Sequence, residues 1–192
     1  MVWLLTLCAA TIAAVTPLLA QPAESTLTPW TQGNLVPFSL DALSGDRHDL
    51  AADRGHAVLV HFFATWCEPC RAEMTALQRF AERTAGKPVT ILAIDVGEVD
   101  LRVRRFFAAQ PVTFSILLDR DRALVKSWQV DALPTTIVLD RTLTPRFVVA
   151  GDFDWDQPAA DRMLDDLTKT ESSEEPPLAP ARTRSAIREN DR

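Results

Sequence analysis

Cys67 and Cys70 stand with two residues between them in the stretch Phe62-Phe63-Ala64-Thr65-Trp66-Cys67-Glu68-Pro69-Cys70. Two thiols at this spacing suit one chemistry well. A thiolate attacks a disulfide, and its neighbour one helical turn on displaces the mixed disulfide that forms. The stretch lies where a continuous apolar run, Ala57 to Ala64, gives way to residues of helical spacing. Cys67 is therefore expected at the N-terminal edge of a helix, where unpaired backbone N–H groups and the positive dipole end favour a thiolate. That assigns Cys67 as the nucleophile and Cys70, shielded by the first turn, as the resolving thiol. Pro69 fits, because a proline in the first helical turn forfeits no intrahelical hydrogen bond.

Other readings compete. A structural disulfide is disfavoured because closing so short a loop removes little chain entropy. Half of a metal site is disfavoured because the chain has no second Cys pair and its His residues lack ligand spacing to this one. The Glu-Pro between the cysteines argues against a fortuitous core pair.

Around the pair, strand-like and helix-like stretches alternate. Val36–Leu40 and Arg47–Leu50 flank the turn signal Ser44-Gly45-Asp46 and predict a hairpin. Ala57–Ala64, broken only by His61, predicts a central strand buried on both faces. Met74, Leu77, Phe80, Ala81 and Thr84 then follow helical spacing, with Gly86 and Pro88 as the stop. Val89–Val96 is the next strand, Leu101–Gln110 a helix, Ser115–Leu118 a short strand and Ala123–Trp128 a brief helix. After Leu133-Pro134, Thr135–Leu139 and Arg146–Ala150 form two strands joined by Asp140–Pro145, and Gln157–Lys169 a last helix carrying Met163, Leu164 and Leu167. The order predicts an α/β layer sandwich with a mixed sheet. His48 and His56 fall in predicted loops.

Trp66-Cys67-Glu68-Pro69-Cys70, Leu133-Pro134-Thr135-Thr136 and the strand end Ile94-Asp95-Val96-Gly97-Glu98 together resemble the TlpA/ResA-type thioredoxins of bacterial cell envelopes, over roughly Val36 to Lys169. The resemblance implies a thioredoxin-like three-layer sandwich with a central mixed β-sheet and an N-terminal β-hairpin extension. It also implies a reductant acting on client proteins with oxidised cysteines, such as apocytochromes c or copper-site proteins. The redox-active Cys67–Cys70 disulfide would serve with no other cofactor and no metal, and electrons would come from a membrane thiol-disulfide donor. Pro134 matches the family's cis proline beside the disulfide, which leaves Leu133 to offer main-chain hydrogen bonds to an extended client. Glu73 matches an acid near the family's cysteines. A partly buried carboxyl there has a raised pKa and exchanges protons with the resolving thiol; an ordinary surface residue is the rival reading. Trp66 is expected to cover the disulfide and contact clients, against simple packing. Glu68, a solvated anion beside Cys67, opposes the thiolate and shifts the pair towards reducing behaviour. One departure stands out: six residues before Cys67, where thioredoxins have a buried acid, this chain has His61. A His on a central strand is either a proton acceptor near neutral pH or a satisfied core residue.

The 192 residues, 47% hydrophobic, bound one core, expected over residues 33–169. A net charge of -6 with no basic block argues against a nucleic-acid partner. Residues 1–20 carry no charged side chain and read as a signal peptide or an N-terminal membrane anchor, placing the domain in the periplasm or another extracytoplasmic space. Cys8 follows Leu7, which fits a membrane-segment Cys better than a lipid attachment site. Residues 21–32 read as a linker and 170–192 as a disordered tail. Two alternatives to a reductant stand: an oxidising disulfide-exchange protein, and a copper metallochaperone using the two thiolates, for which Met74 and Met163 are the thioether candidates.

Overall fold

The computed structural model of the protein describes residues 26–169. The signal or anchor segment, Cys8 and the expected tail lie outside the described residues. The elements run β1 (Thr28–Pro29), β2 (Ser39–Ala42), β3 (Arg47–Asp49), β4 (Ala57–Phe63), α1 (Glu68–Arg83), β5 (Val89–Val96), α2 (Asp100–Ala109), β6 (Ser115–Asp119), α3 (Ala123–Ser127), β7 (Thr135–Leu139), β8 (Pro145–Ala150) and α4 (Pro158–Thr168), with a 3-10 turn at Leu50–Asp53.

The strands form one sheet in the order β1-β8-β7-β4-β5-β6-β2-β3. β4, β5 and β6 are parallel and every other pairing is antiparallel, so the sheet is mixed, as the sequence predicts. All seven residues of β4 are buried, which explains an apolar pattern interrupted only by His61: helices cover both faces and no position alternates to water.

Strand periodicity sorts the core into layers. Ala57 and Leu59 of β4 pack with Leu77 and Phe80 of α1 and with Met163, Leu164 and Leu167 of α4. Nearer the cysteines on the same face, Phe63 packs with Cys67, Cys70 and Met74 and with Val103 and Phe107 of α2. Val58, Val60 and Phe62 point the other way, against Leu124 and Val125 of α3, Trp128 and Phe38. Trp128 meets Phe38 and Phe62 edge-on at 5.5 and 5.8 Å and donates its indole N–H to Val36 O at 2.9 Å.

Four details depart from the sequence reading. Thr28–Pro29, inside the stretch read as linker, pairs with Val148 and Phe147 as an edge strand, where a proline is tolerated. The hairpin pairs Ser39–Asp41 with Arg47–Asp49, a few residues from the predicted span, and its outer strand β3 holds His48, whose ring bonds Asp53 at 2.7 Å. Thr84 is buried, as its place in the apolar spacing predicts, but it is the C-cap of α1, its Oγ1 donating to Phe80 O at 2.7 Å. α2 begins at Asp100, which Arg120 grips with two bonds of 2.9 Å.

Candidate active site

β4 delivers the chain into the short turn Ala64–Cys67, closed by Cys67 N–H donating to Ala64 O at 3.1 Å. α1 starts immediately after. Cys67 is its N-cap, Pro69 occupies the first turn, and the Cys70 N–H donates to Cys67 Sγ at 3.3 Å. That bond uses one of the otherwise unpaired N–H groups of the helix start, and it favours negative charge on Cys67 sulfur. The two sulfurs form a disulfide of 2.10 Å. Cys70 is fully buried and Cys67 is 6% exposed.

The pair opens onto a cavity of about 630 Å³ lined by Trp66, Cys67, Pro69, Arg122, Val130 and Leu133, among others. Trp66 is 62% exposed, so core packing does not explain it. Glu68 is solvent-facing and paired with Arg71 at 2.9 Å. The Leu133–Pro134 bond is cis, as the resemblance implies. Pro134 O accepts from Gly151 N at 2.8 Å, while the backbone N–H and C=O of Leu133 have no partner among the described residues. Leu133 itself packs against the apolar cluster that holds both cysteines.

Glu73, one turn beyond Cys70, is buried rather than on the surface. Burial pushes its carboxyl up to about 8, with Asp152 adding to the rise; the Trp155 indole N–H donates to Oε1 and works the other way. Oε2 has no partner among the described residues. His61 donates to or accepts from Thr136 Oγ1 at 2.9 Å, and its Nε2 is unpartnered. Burial drives its pKa down to about 3, so the ring is neutral throughout the physiological range and does not take up a proton near neutral pH. The reading of His61 as a neutral-range proton acceptor therefore gives way to a buried residue tied to β7.

Two features escape sequence inspection. Trp155 reaches Glu73 from 82 positions away. Glu98 grips Thr65 through its backbone N–H at 2.5 Å and its hydroxyl at 2.8 Å. The signal that flags Glu98 is its place at the end of β5, next to the motif in the fold but 33 positions from Thr65 in the chain. Among the described residues no group of three or more His, Cys, Asp and Glu side chains is placed to hold a metal, and no helix is long and apolar enough to cross a membrane.

A disulfide-bonded Cys pair at a strand-to-helix junction, with a cis proline at the start of the neighbouring strand, defines the class: this is a thiol-disulfide oxidoreductase with a thioredoxin-like fold. The pattern of the AhpC/TSA family matches residues 33–146, and the chain belongs to that family. Within it, the chain is 34% identical over 120 residues to the thiol-disulfide oxidoreductase ResA of Geobacillus kaustophilus, covering 62% of this chain and 69% of that one. It is 32% identical over 111 residues to ResA of Bacillus subtilis, covering 57% and 62%. A solved thiol:disulfide interchange protein of the thioredoxin family from Chlorobium tepidum superposes with a TM-score of 0.61 at 24% identity, over 77% of this chain and 99% of the other, which speaks to the fold.

Proposed function

We propose that the protein is a reductant of protein disulfides in the cell envelope, acting on clients whose cysteines have been oxidised. The observation that carries this reading is the contrast between the two sulfurs: Cys67 lies at the cavity and accepts the Cys70 N–H, while Cys70 is sealed behind it. Cys67 thiolate attacks a client disulfide, forming a mixed disulfide and releasing one client thiolate. Cys70 then attacks Cys67 sulfur, restoring the internal bridge and releasing the second client thiolate. Glu73, whose carboxyl is raised to about 8 and so is largely protonated at neutral pH, takes the Cys70 proton in its ionised fraction, which grows as pH approaches 8.

Three features favour the reducing direction. Among the described residues Cys67 sulfur accepts one backbone N–H, it sits in an apolar cluster, and Glu68, paired with Arg71, places a carboxylate at the next position. Strong oxidants instead stabilise their thiolate heavily. Trp66, Pro69, Leu133 and Pro134 form the client platform, with the free main-chain groups of Leu133 pairing to an extended segment. Extracytoplasmic residence, with residues 1–20 as cleaved signal or tether, supplies the oxidised clients, and a membrane thiol-disulfide donor resets the pair. Apocytochromes c and copper-site proteins are the client classes this reading favours. No cofactor beyond the Cys67–Cys70 bridge enters the cycle.

Trapping tests it. Full-length Cys70→Ser protein, expressed in its own envelope, is expected to retain clients disulfide-linked to Cys67. A haem-attachment protein in the trap assigns cytochrome maturation, and a copper-site protein assigns oxidase assembly. An empty trap, together with failure of the parent protein to reduce insulin, overturns the reading.

A further inference from the structure

Asp95 is the last acidic residue of β5 and has no exposed surface. It pairs across the sheet with Phe63 and Leu118, so its side chain shares a face with the apolar cluster around the cysteines. Its Oδ1 accepts the Glu98 N–H at 3.1 Å. Its Oδ2 is buried and meets no donor among the described residues. An ionised carboxylate left this way is expensive; a protonated one becomes a donor that needs an acceptor. The acceptor at hand is the Glu98 carboxylate, whose two oxygens already receive both Thr65 donors. Thr65 lies inside the turn that Cys67 N–H closes onto Ala64 O.

We propose that Asp95 and Glu98 share a proton as a carboxyl pair that clamps Thr65 and so holds Cys67 at the start of α1. Both are positioning residues: neither touches the sulfurs. The clamp joins β5 to the active-site turn. Losing the shared proton sets two carboxylates against each other and loosens the grip on Thr65. Burial, reinforced by Glu98, pushes the Asp95 carboxyl up to about 7, which places this event inside the working range. The other charged groups facing the pair are Arg102, 3.6 Å from Glu98 and itself largely exposed, and Asp100, already neutralised by Arg120. The two thiols of the neighbouring apolar cluster join them once the bridge is reduced.

The test is the rate of iodoacetamide modification of Cys67 in the reduced full-length protein from pH 5 to 9, read by mass spectrometry on the Cys67 peptide. It needs no client and no assumed direction of electron flow, so its outcome is independent of the reductant reading. The parent curve is expected to bend near pH 7, in addition to the bends set by the thiol's own ionisation and by Glu73 near 8. Asp95→Asn, whose amide still donates to Glu98, is expected to lose the bend near pH 7 and keep the others. Glu98→Gln and Glu98→Ala remove the same charge, so the difference between them isolates the clamp; the alanine variant is expected to react about tenfold more slowly than the glutamine variant. Should Glu98→Ala fail to fold, Thr65→Ala removes one donor and leaves the charge, with a slowing of about threefold expected. A bend near pH 7 surviving in Asp95→Asn, or equal rates in Glu98→Gln and Glu98→Ala, would overturn the proposal.

Discussion

Glu73 shows how burial turns an ordinary acid into a proton store. Its folded value of about 8 lies above that of an unfolded glutamate, so the folded state binds the proton more tightly. The stability this contributes is complete below about pH 4.5 and is lost as pH rises through about 8. His61 runs the opposite way: with a folded value of about 3, it contributes stability above its unfolded value near 6.5 and loses it as pH falls through 3. Above pH 6.5 only the buried acids remain to set the slope. Glu73→Gln, which keeps an acceptor for Trp155, is therefore expected to remove roughly 2 kcal/mol of the decline in stability between pH 6.5 and 8. Urea unfolding at the two pH values checks this, and parallel losses in parent and variant would contradict it. At the same scale, Cys67→Ser is expected to abolish insulin reduction, whereas Cys70→Ser is expected to form mixed disulfides that do not resolve. Equal trapping by both single-cysteine proteins would show that the sulfurs are interchangeable.

At the scale of elements, α1 carries the chemistry at one end and anchors the fold along its length. Met74, Leu77 and Phe80 are fully buried, each contributing about 1.5–3 kcal/mol by burial. Phe80 packs on Trp155 with ring centroids 5.5 Å apart, and Trp155 hydrogen-bonds Glu73 one stripe over. Trp155→Phe is expected to destabilise by about 1–3 kcal/mol through the lost donor and to raise the Glu73 carboxyl further; a variant as stable as the parent at pH 8 would refute that coupling. The helix was readable from sequence because its apolar stripe, Pro69 and the Gly86 stop all agree. The hydrophobic strands β4 to β7 were readable for the same reason. β1 was not, since two residues hold no period, and its proline sits on an edge. Among site residues, Cys67, Cys70 and Pro134 announced themselves by local motif. The Thr65–Glu98 and Glu73–Trp155 bonds did not, because they join residues 33 and 82 positions apart and depend on how strands are ordered in the sheet.

The whole molecule places a cysteine pair at the C-terminal end of the central strand of a mixed sheet, beside an open cavity. β4, at the centre of the sheet, fixes the turn before Cys67; β7, hydrogen-bonded to it, brings Pro134 to the same end. Cys67 and Leu133 line one cavity there, beside the backbone groups of Leu133 that have no partner among the described residues. The chain's net charge of -6 sets no demand for an anionic partner. What decides between giving and taking electrons is the balance of thiolate stabilisation at Cys67 against the bridge. Equilibrating the full-length protein with graded dithiol and glutathione buffers, then counting free thiols on the Cys67–Cys70 peptide, measures that balance. A potential of about -270 to -220 mV is the predicted result, and a value near about -120 mV would contradict the reductant account and make the protein an oxidant.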